Sequence, residues 1–353
     1  ILSGTDYSFA GTTTLELADP NLFDASPVDV SISVAGSLII KGQTFEGDFV
    51  LRRTGAGAAQ VTAVTATLTR FDLKAGATLI LRLDGSGVFQ INASGIAAQM
   101  ALNLTSGPAQ PNVQVTGTVQ LKLNTTGAAV TDINGQTVNL DAASFVQVDL
   151  SNSSIAIDGN SFSADLLSFR QEGNDVSVAG SNVGFLLSAG AKRIVQLSGA
   201  DAGFVFTENG VAGALLNAAF QGPDFSTISL SGTFGMEINT TANQITVDVG
   251  GTMVALASAP GSQVRVTVAN GQLTVMGNVI SATRFELRKD LAQVRVAVEG
   301  MTLEIQAGGT RILELESGNG EFVFSDAGIA GSLALTIKTQ PASLDYSFAG
   351  AFQ

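Results

Sequence analysis

The sequence predicts an all-β fold: an elongated tandem-repeat array of mainly antiparallel, meandering strands that continues from one repeat into the next. Three observations predict it. Apolar residues alternate with polar or small ones at a period of two, glycines and prolines recur at fixed offsets in three copies, and no stretch follows the i, i+3, i+4, i+7 spacing of an amphipathic helix.

The alternation is clearest in Thr118–Leu123, Phe145–Leu150, Val264–Val268, Val294–Val298 and Phe322–Phe324. Each places its apolar side chains on one face of a pleated strand. The best helical candidate, Ile96–Leu104, corresponds to Val211–Phe220 and Ile329–Ile337, which glycine interrupts, so all three read as strands. Tight turns are expected at Asn270-Gly271, at Glu208-Asn209-Gly210 and at Asp326-Ala327-Gly328. Strands of six to nine residues would give nine or ten per repeat.

The repeat rests on spacing. The hexapeptide Asp-Tyr-Ser-Phe-Ala-Gly stands at Asp6–Gly11 and again at Asp345–Gly350. Between these copies, Phe-x-φ-x-x-x-Gly-φ-Ala (φ apolar) occurs three times, with glycines at Gly95, Gly210 and Gly328. Thirteen residues after each glycine comes a proline (Pro108, Pro223, Pro341), and nine further on another glycine (Gly117, Gly232, Gly350). Ala75-Gly76, Ala189-Gly190 and Ala307-Gly308 precede equivalent strands, and Gly42-Gln43, Gly159-Asn160 and Gly277-Asn278 lie further upstream. Asn-Thr-Thr follows the first glycine of two copies, at Asn124 and Asn239, where the other copy has Ala18. The units are 11–116, 117–231 and 232–349, with 1–10 closing a preceding repeat and 350–353 opening another. On this reading the chain is a piece of a longer array.

A meander with one apolar face must cover it. The sheet can curl into a continuous roll, each repeat can close as its own β-sandwich, or the strands can be rungs of a β-solenoid. The boundary Ile228-Ser-Leu-Ser-Gly-Thr-Phe234 reads as uninterrupted strand, which favours the continuous form.

Composition narrows the chemistry. The 353 residues contain no Cys, His or Trp, with 17 Lys+Arg against 30 Asp+Glu and a formal charge of −13. Disulfides, thiolate nucleophiles, imidazole ligands and the Ser-His-Asp triad are thereby excluded. The negative charge argues against nucleic acid, and no apolar run approaches the ~18 residues of a membrane helix. Carboxylate pairs such as Glu314 and Glu316 occupy alternate polar positions of a strand, so a solvated face accounts for them and an enzyme is not expected. Calcium is the remaining cofactor candidate, because Asp, Asn and Gly loops supply hard oxygen ligands; its candidate residues are Asp158, Asp201, Glu316 and Glu321. Neither the EF-hand spacing nor the Gly-Gly-x-Gly-x-Asp nonapeptide is present. N-glycosylation sequons stand at Asn92, Asn103, Asn124, Asn152 and Asn239.

Phe-Val-Phe-Thr-Glu-Asn-Gly-Val-Ala-Gly (204–213) with Phe-Val-Phe-Ser-Asp-Ala-Gly-Ile-Ala-Gly (322–331) resembles the very large tandem-repeat exoproteins and adhesins of bacteria in repeat style. The resemblance implies a structural, non-catalytic segment of an extracellular fibre, surface layer or adhesin, with neighbouring repeats and copies of itself as partners. A second likeness, to β-groove lipid-transfer proteins, implies instead an apolar trough that binds lipid.

Overall fold

The computed structural model describes residues 7–17, 30–54, 61–110, 112–157, 160–257, 264–290, 292–307, 310–339 and 351–352. These contain β-strands and no helix. In chain order they are β1 (Tyr7–Leu17), β2 (Val30–Ile40), β3 (Gln43–Thr54), β4 (Val61–Ala75), β5 (Thr78–Asn92), β6 (Gly95–Ser106), β7 (Val113–Asn124), β8 (Val130–Ile133), β9 (Gln136–Leu140), β10 (Phe145–Ile157), β11 (Asn160–Glu172) and β12 (Asp175–Ala189). There follow β13 (Lys192–Thr207), β14 (Gly210–Leu216), β15 (Ala219–Gln221), β16 (Ile228–Asn239), β17 (Ile245–Val249), β18 (Thr252–Leu256), β19 (Arg265–Val275), β20 (Asn278–Asp290), β21 (Gln293–Ala307), β22 (Thr310–Ser325), β23 (Gly328–Thr339) and β24 (Ala351–Phe352).

Twenty of these strands form one meandering antiparallel sheet; β8–β9 and β17–β18 are separate hairpins. The sheet does not break where the sequence begins a new copy. Residues 116/117 lie inside β7, which pairs with β6, and residues 231/232 lie inside β16, which pairs with β14. The registered pairings are antiparallel, as a continuous meander requires and parallel solenoid rungs do not.

The principal strands run 11 to 16 residues, longer and fewer than expected. Alternation breaks at glycines that the strands pass through without turning. Asn270-Gly271 is such a place, and the expected hairpin there does not form. β19 continues through it, and Ser231 faces Gln272 while Thr233 faces Ala269, so two residues of β19 oppose Gly232 alone. This is a β-bulge. Asn270 takes the left-handed conformation (φ 49°), and a Cβ on Gly232 would lie 2.9 Å from the Gly271 Cα. The turns at Glu208-Asn209 and Asp326-Ala327 form as expected.

Two compact units are present. The first comprises residues 1–155, 164–179 and 205–208; the second comprises 156–163, 180–204 and 209–353. In the first, the apolar face is filled by its own side chains: Phe45, Phe71 and Phe89 are fully buried, with Phe45 and Phe71 stacked at 4.5 Å and Phe89 edge-on to Phe45 at 5.9 Å. In the second, Phe162 stacks on Phe185 at 4.9 Å and meets Phe204 edge-on at 5.6 Å. Such ring pairs contribute about 0.5–1.5 kcal/mol beyond their area burial.

Candidate functional site

The residues that recur between copies build two local devices. The first is an Asn-Thr-Thr latch. Asn124 is fully buried, and its Nδ2 donates to the carbonyls of Ala128 (2.8 Å) and Asp141 (2.6 Å), which flank the β8–β9 hairpin. Its Oδ1 accepts from the Thr126 N–H and hydroxyl. Thr125 locks the other side: its N–H donates to the Ile96 carbonyl at 2.8 Å and its Oγ1 accepts from the Ile96 N–H at 2.9 Å. The second unit repeats this bond for bond. Asn239 Nδ2 donates to Asn243, Leu256 and Ala257 around the β17–β18 hairpin, its Oδ1 accepts from Thr241, and Thr240 brackets Val211.

Each latch holds a hairpin over the end of the core. In the first unit, Ile133, Val138 and Leu140 pack with Ala97 and Phe145. In the second, Val247, Val249 and Leu256 are buried. Glycine is required at Gly203, where a Cβ would lie 2.0 Å from the Asp248 carbonyl oxygen.

The second device joins one copy to the next. In the first unit the Gly76 N–H donates to the Asn174 carbonyl (2.6 Å), the Thr78 hydroxyl donates to the Glu208 carbonyl (3.2 Å), and Gln43 bonds Gln171 (2.7 Å). These bonds curl the sheet onto itself. In the second unit the equivalent Gly190-Ala191 turn meets the equivalent acidic turn, with the Ala191 N–H donating to Asp326 Oδ1 at 2.8 Å. Gly76 and Gly190 share φ 56°, and a Cβ on Gly190 would lie 2.1 Å from the Asp326 carboxylate.

The outward positions differ between copies where the turns do not. Three residues before the Ala of each Ala-Gly turn stand Asp72, Leu186 and Glu304; six after its Gly stand Arg82, Gln196 and Glu314. In the first copy these are cross-strand partners and an ion pair. Asp72 is nearly buried and accepts from Arg82 Nε (2.7 Å) and Arg70 Nη2 (2.6 Å). Burial pushes its carboxyl up, but the hydrogen bonds from Arg82 and Arg70 and their positive charge outweigh it and bring it down to about 2. In the second copy Leu186 is 49% exposed, and in the third Glu304 faces Glu314 directly. The Asp72 cluster was not singled out from sequence, although an Asp and an Arg at matched distances across a two-residue turn are the signal for it.

The second unit carries an open groove of about 540 Å³ lined by Glu286, Arg288, Lys289, Arg295, Ala297, Gly320 and Glu321. Its charges are paired across strands: Arg288 with Glu286, Arg284 with Glu286 (2.6 Å), and Arg295 with Glu321 (3.0 Å).

The calcium candidates are scattered. Asp158 lies outside the described residues. Asp201 accepts from Asn217 Nδ2 at 3.0 Å, Glu316 stands on β22, and Glu321 is engaged by Arg295. Among the described residues no group of three or more acidic side chains is positioned to hold a metal ion. The sequon asparagines Asn124 and Asn239 have their acceptor nitrogens buried and bonded within the latch, whereas the Asn103 side chain bonds Asp84 on an exposed face. No family model matches the chain, and no curated protein or solved structure matches it.

Proposed function

We propose that this chain is a structural, non-catalytic repeat segment of a large extracellular fibre, surface layer or adhesin. One observation carries the reading: the contact between an Ala-Gly turn and the next copy's acidic turn is made twice, once within each unit, by equivalent residues. A contact that repeats between successive copies is the element from which an array propagates. The positions held constant are those of turns, latches and packing, while the outward positions change from Asp–Arg to Leu–Gln to Glu–Glu. Selection for a reaction would hold outward chemistry constant and let packing drift; this pattern is the reverse. Net negative charge keeps such an array dispersed. Calcium is not needed for the reading, and any bound ion would stiffen it.

The alternative is a β-groove that binds lipid, and the alternation of apolar residues favours it equally. The filling of the apolar face by Phe45, Phe71, Phe89, Phe162, Phe185 and Phe204 supports the structural reading over it. Electron microscopy with mass spectrometry of the native protein tests the choice. Elongated or polymeric particles without acyl chains are expected; a compact particle carrying stoichiometric lipid overturns the proposal.

A further inference from the structure

The first strand of each copy is the one that meets the copy before it, and the register of that meeting is constant. Leu102, seven residues after Gly95, faces Val119, two after Gly117. Leu335, seven after Gly328, faces Phe352, two after Gly350. Leu215 opposite Met236 lies on the same register counted from Gly210 and Gly232. β1 is the strand in this position for the first copy, with Gly11 at the place of Gly117 and Gly232. β2 covers one edge of β1 along its whole length. Among the described residues, the edge that β6 covers on β7 and β14 covers on β16 is open on β1. Exposure agrees: Thr13 is exposed, whereas Val119 at the equivalent place is 2% exposed.

The other end has the complementary gap. β23 pairs with β24 at Leu335 and Thr336, against six consecutive pairs between β6 and β7. A Cβ on Gly95 or Gly210 would press on Thr125 or Thr240 of the following strand, 2.6 and 2.5 Å away; at Gly328 it would meet nothing within 4 Å.

We propose that β1 of one molecule adds to β23 of a second, in the register of the internal boundaries, with Thr12 opposite Thr336 and Thr13 opposite Leu335, in the place that β24 otherwise holds. The incoming strand suits it in sequence, because Asp6–Gly11 repeats the residues that lead into β24, Asp345–Gly350. It also reaches further: β1 runs to Leu17, so Leu15 falls opposite Leu333. Strand addition satisfies the open backbone groups of both edges. Because the two surfaces differ, the contact is heterologous and does not close, so it grows head to tail.

The inference deepens the structural reading and rests on it for biological direction, but its test is separate. The chain has no cysteine, so the full-length Thr12→Cys/Thr336→Cys variant reports the register directly; both sites are exposed. Mild oxidation at rising protein concentration is expected to give a ladder of disulfide-linked dimers and longer species on a non-reducing gel. Neither single variant should give it, and moving the first cysteine to Thr14 should abolish it. Unfolding midpoints of the single variants, expected to match the parent, show that folding is intact. A monomer from the matched pair, equal ladders from matched and slipped pairs, or a dimer from Thr12→Cys alone overturns the proposal. None of these results bears on lipid content or particle composition, which decide the structural reading.

Discussion

Replacing Asn239 by Ala removes the centre of the second latch. Its side chain donates to the carbonyls of Asn243 (2.9 Å), Ala257 (3.1 Å) and Leu256 (3.3 Å) and accepts from the Thr241 N–H (2.9 Å) and hydroxyl (2.7 Å). Two N–H groups and one oxygen are therefore fully used at a site only 6% exposed, where water cannot substitute without the hairpin lifting. At about 1 kcal/mol net for each hydrogen bond, and more for a buried group left unsatisfied, the loss is about 2–4 kcal/mol. It should be local. Hydrogen exchange read by mass spectrometry is expected to accelerate across β17–β18 and at the Val211 amide, while β20–β22 stay protected. Asn243→Ala is the control, since Asn243 enters the latch through its backbone. A loss below about 0.5 kcal/mol, or exchange that rises evenly over the chain, would refute the latch.

Asp72 makes the stability of the first unit depend on pH. Its carboxyl is held at about 2 in the fold against 3.8 unfolded, so its contribution is complete above about pH 4 and is lost as pH falls toward 2. The melting temperature of Asp72→Asn should lie below the parent's by a constant margin above about pH 5, a margin that narrows below pH 4; a margin that widens on acidification contradicts the pairing. Gly190→Ala combines a left-handed backbone with a Cβ against Asp326 and should cost about 1–3 kcal/mol more than Gly42→Ala, whose added Cβ meets nothing. Equal losses in urea titrations of the two variants would show that the turn is not docked.

The sequence carried the strand class and the copy spacing, because period-two alternation and turn glycines are local signals. It did not carry strand length. Gly85, Gly117 and Gly232 look like punctuation, yet strands pass through them with φ between 141° and 154°, an extended conformation open to glycine that bends a strand without ending it. Asn270-Gly271 misled for the same reason: the pair that makes a hairpin turn also makes a bulge, and the choice is set by Gly232 on the neighbouring strand. Asn-Thr-Thr was visible as a shared triplet, but its use was not, since the carbonyls it binds lie up to 18 residues ahead. The Asp72 cluster was legible only once Ala75-Gly76 was fixed as the turn that sets Asp72 opposite Arg82.

The account turns on the copy-to-copy contact being the same in both units. Spin-label distances between Ala77→Cys and Glu208→Cys, and between Ala191→Cys and Ala327→Cys, measure it directly in a chain with no native cysteine. Two short, narrow and closely similar distributions are predicted. Long or broad distributions for either pair, as separately closed repeats would give, contradict it.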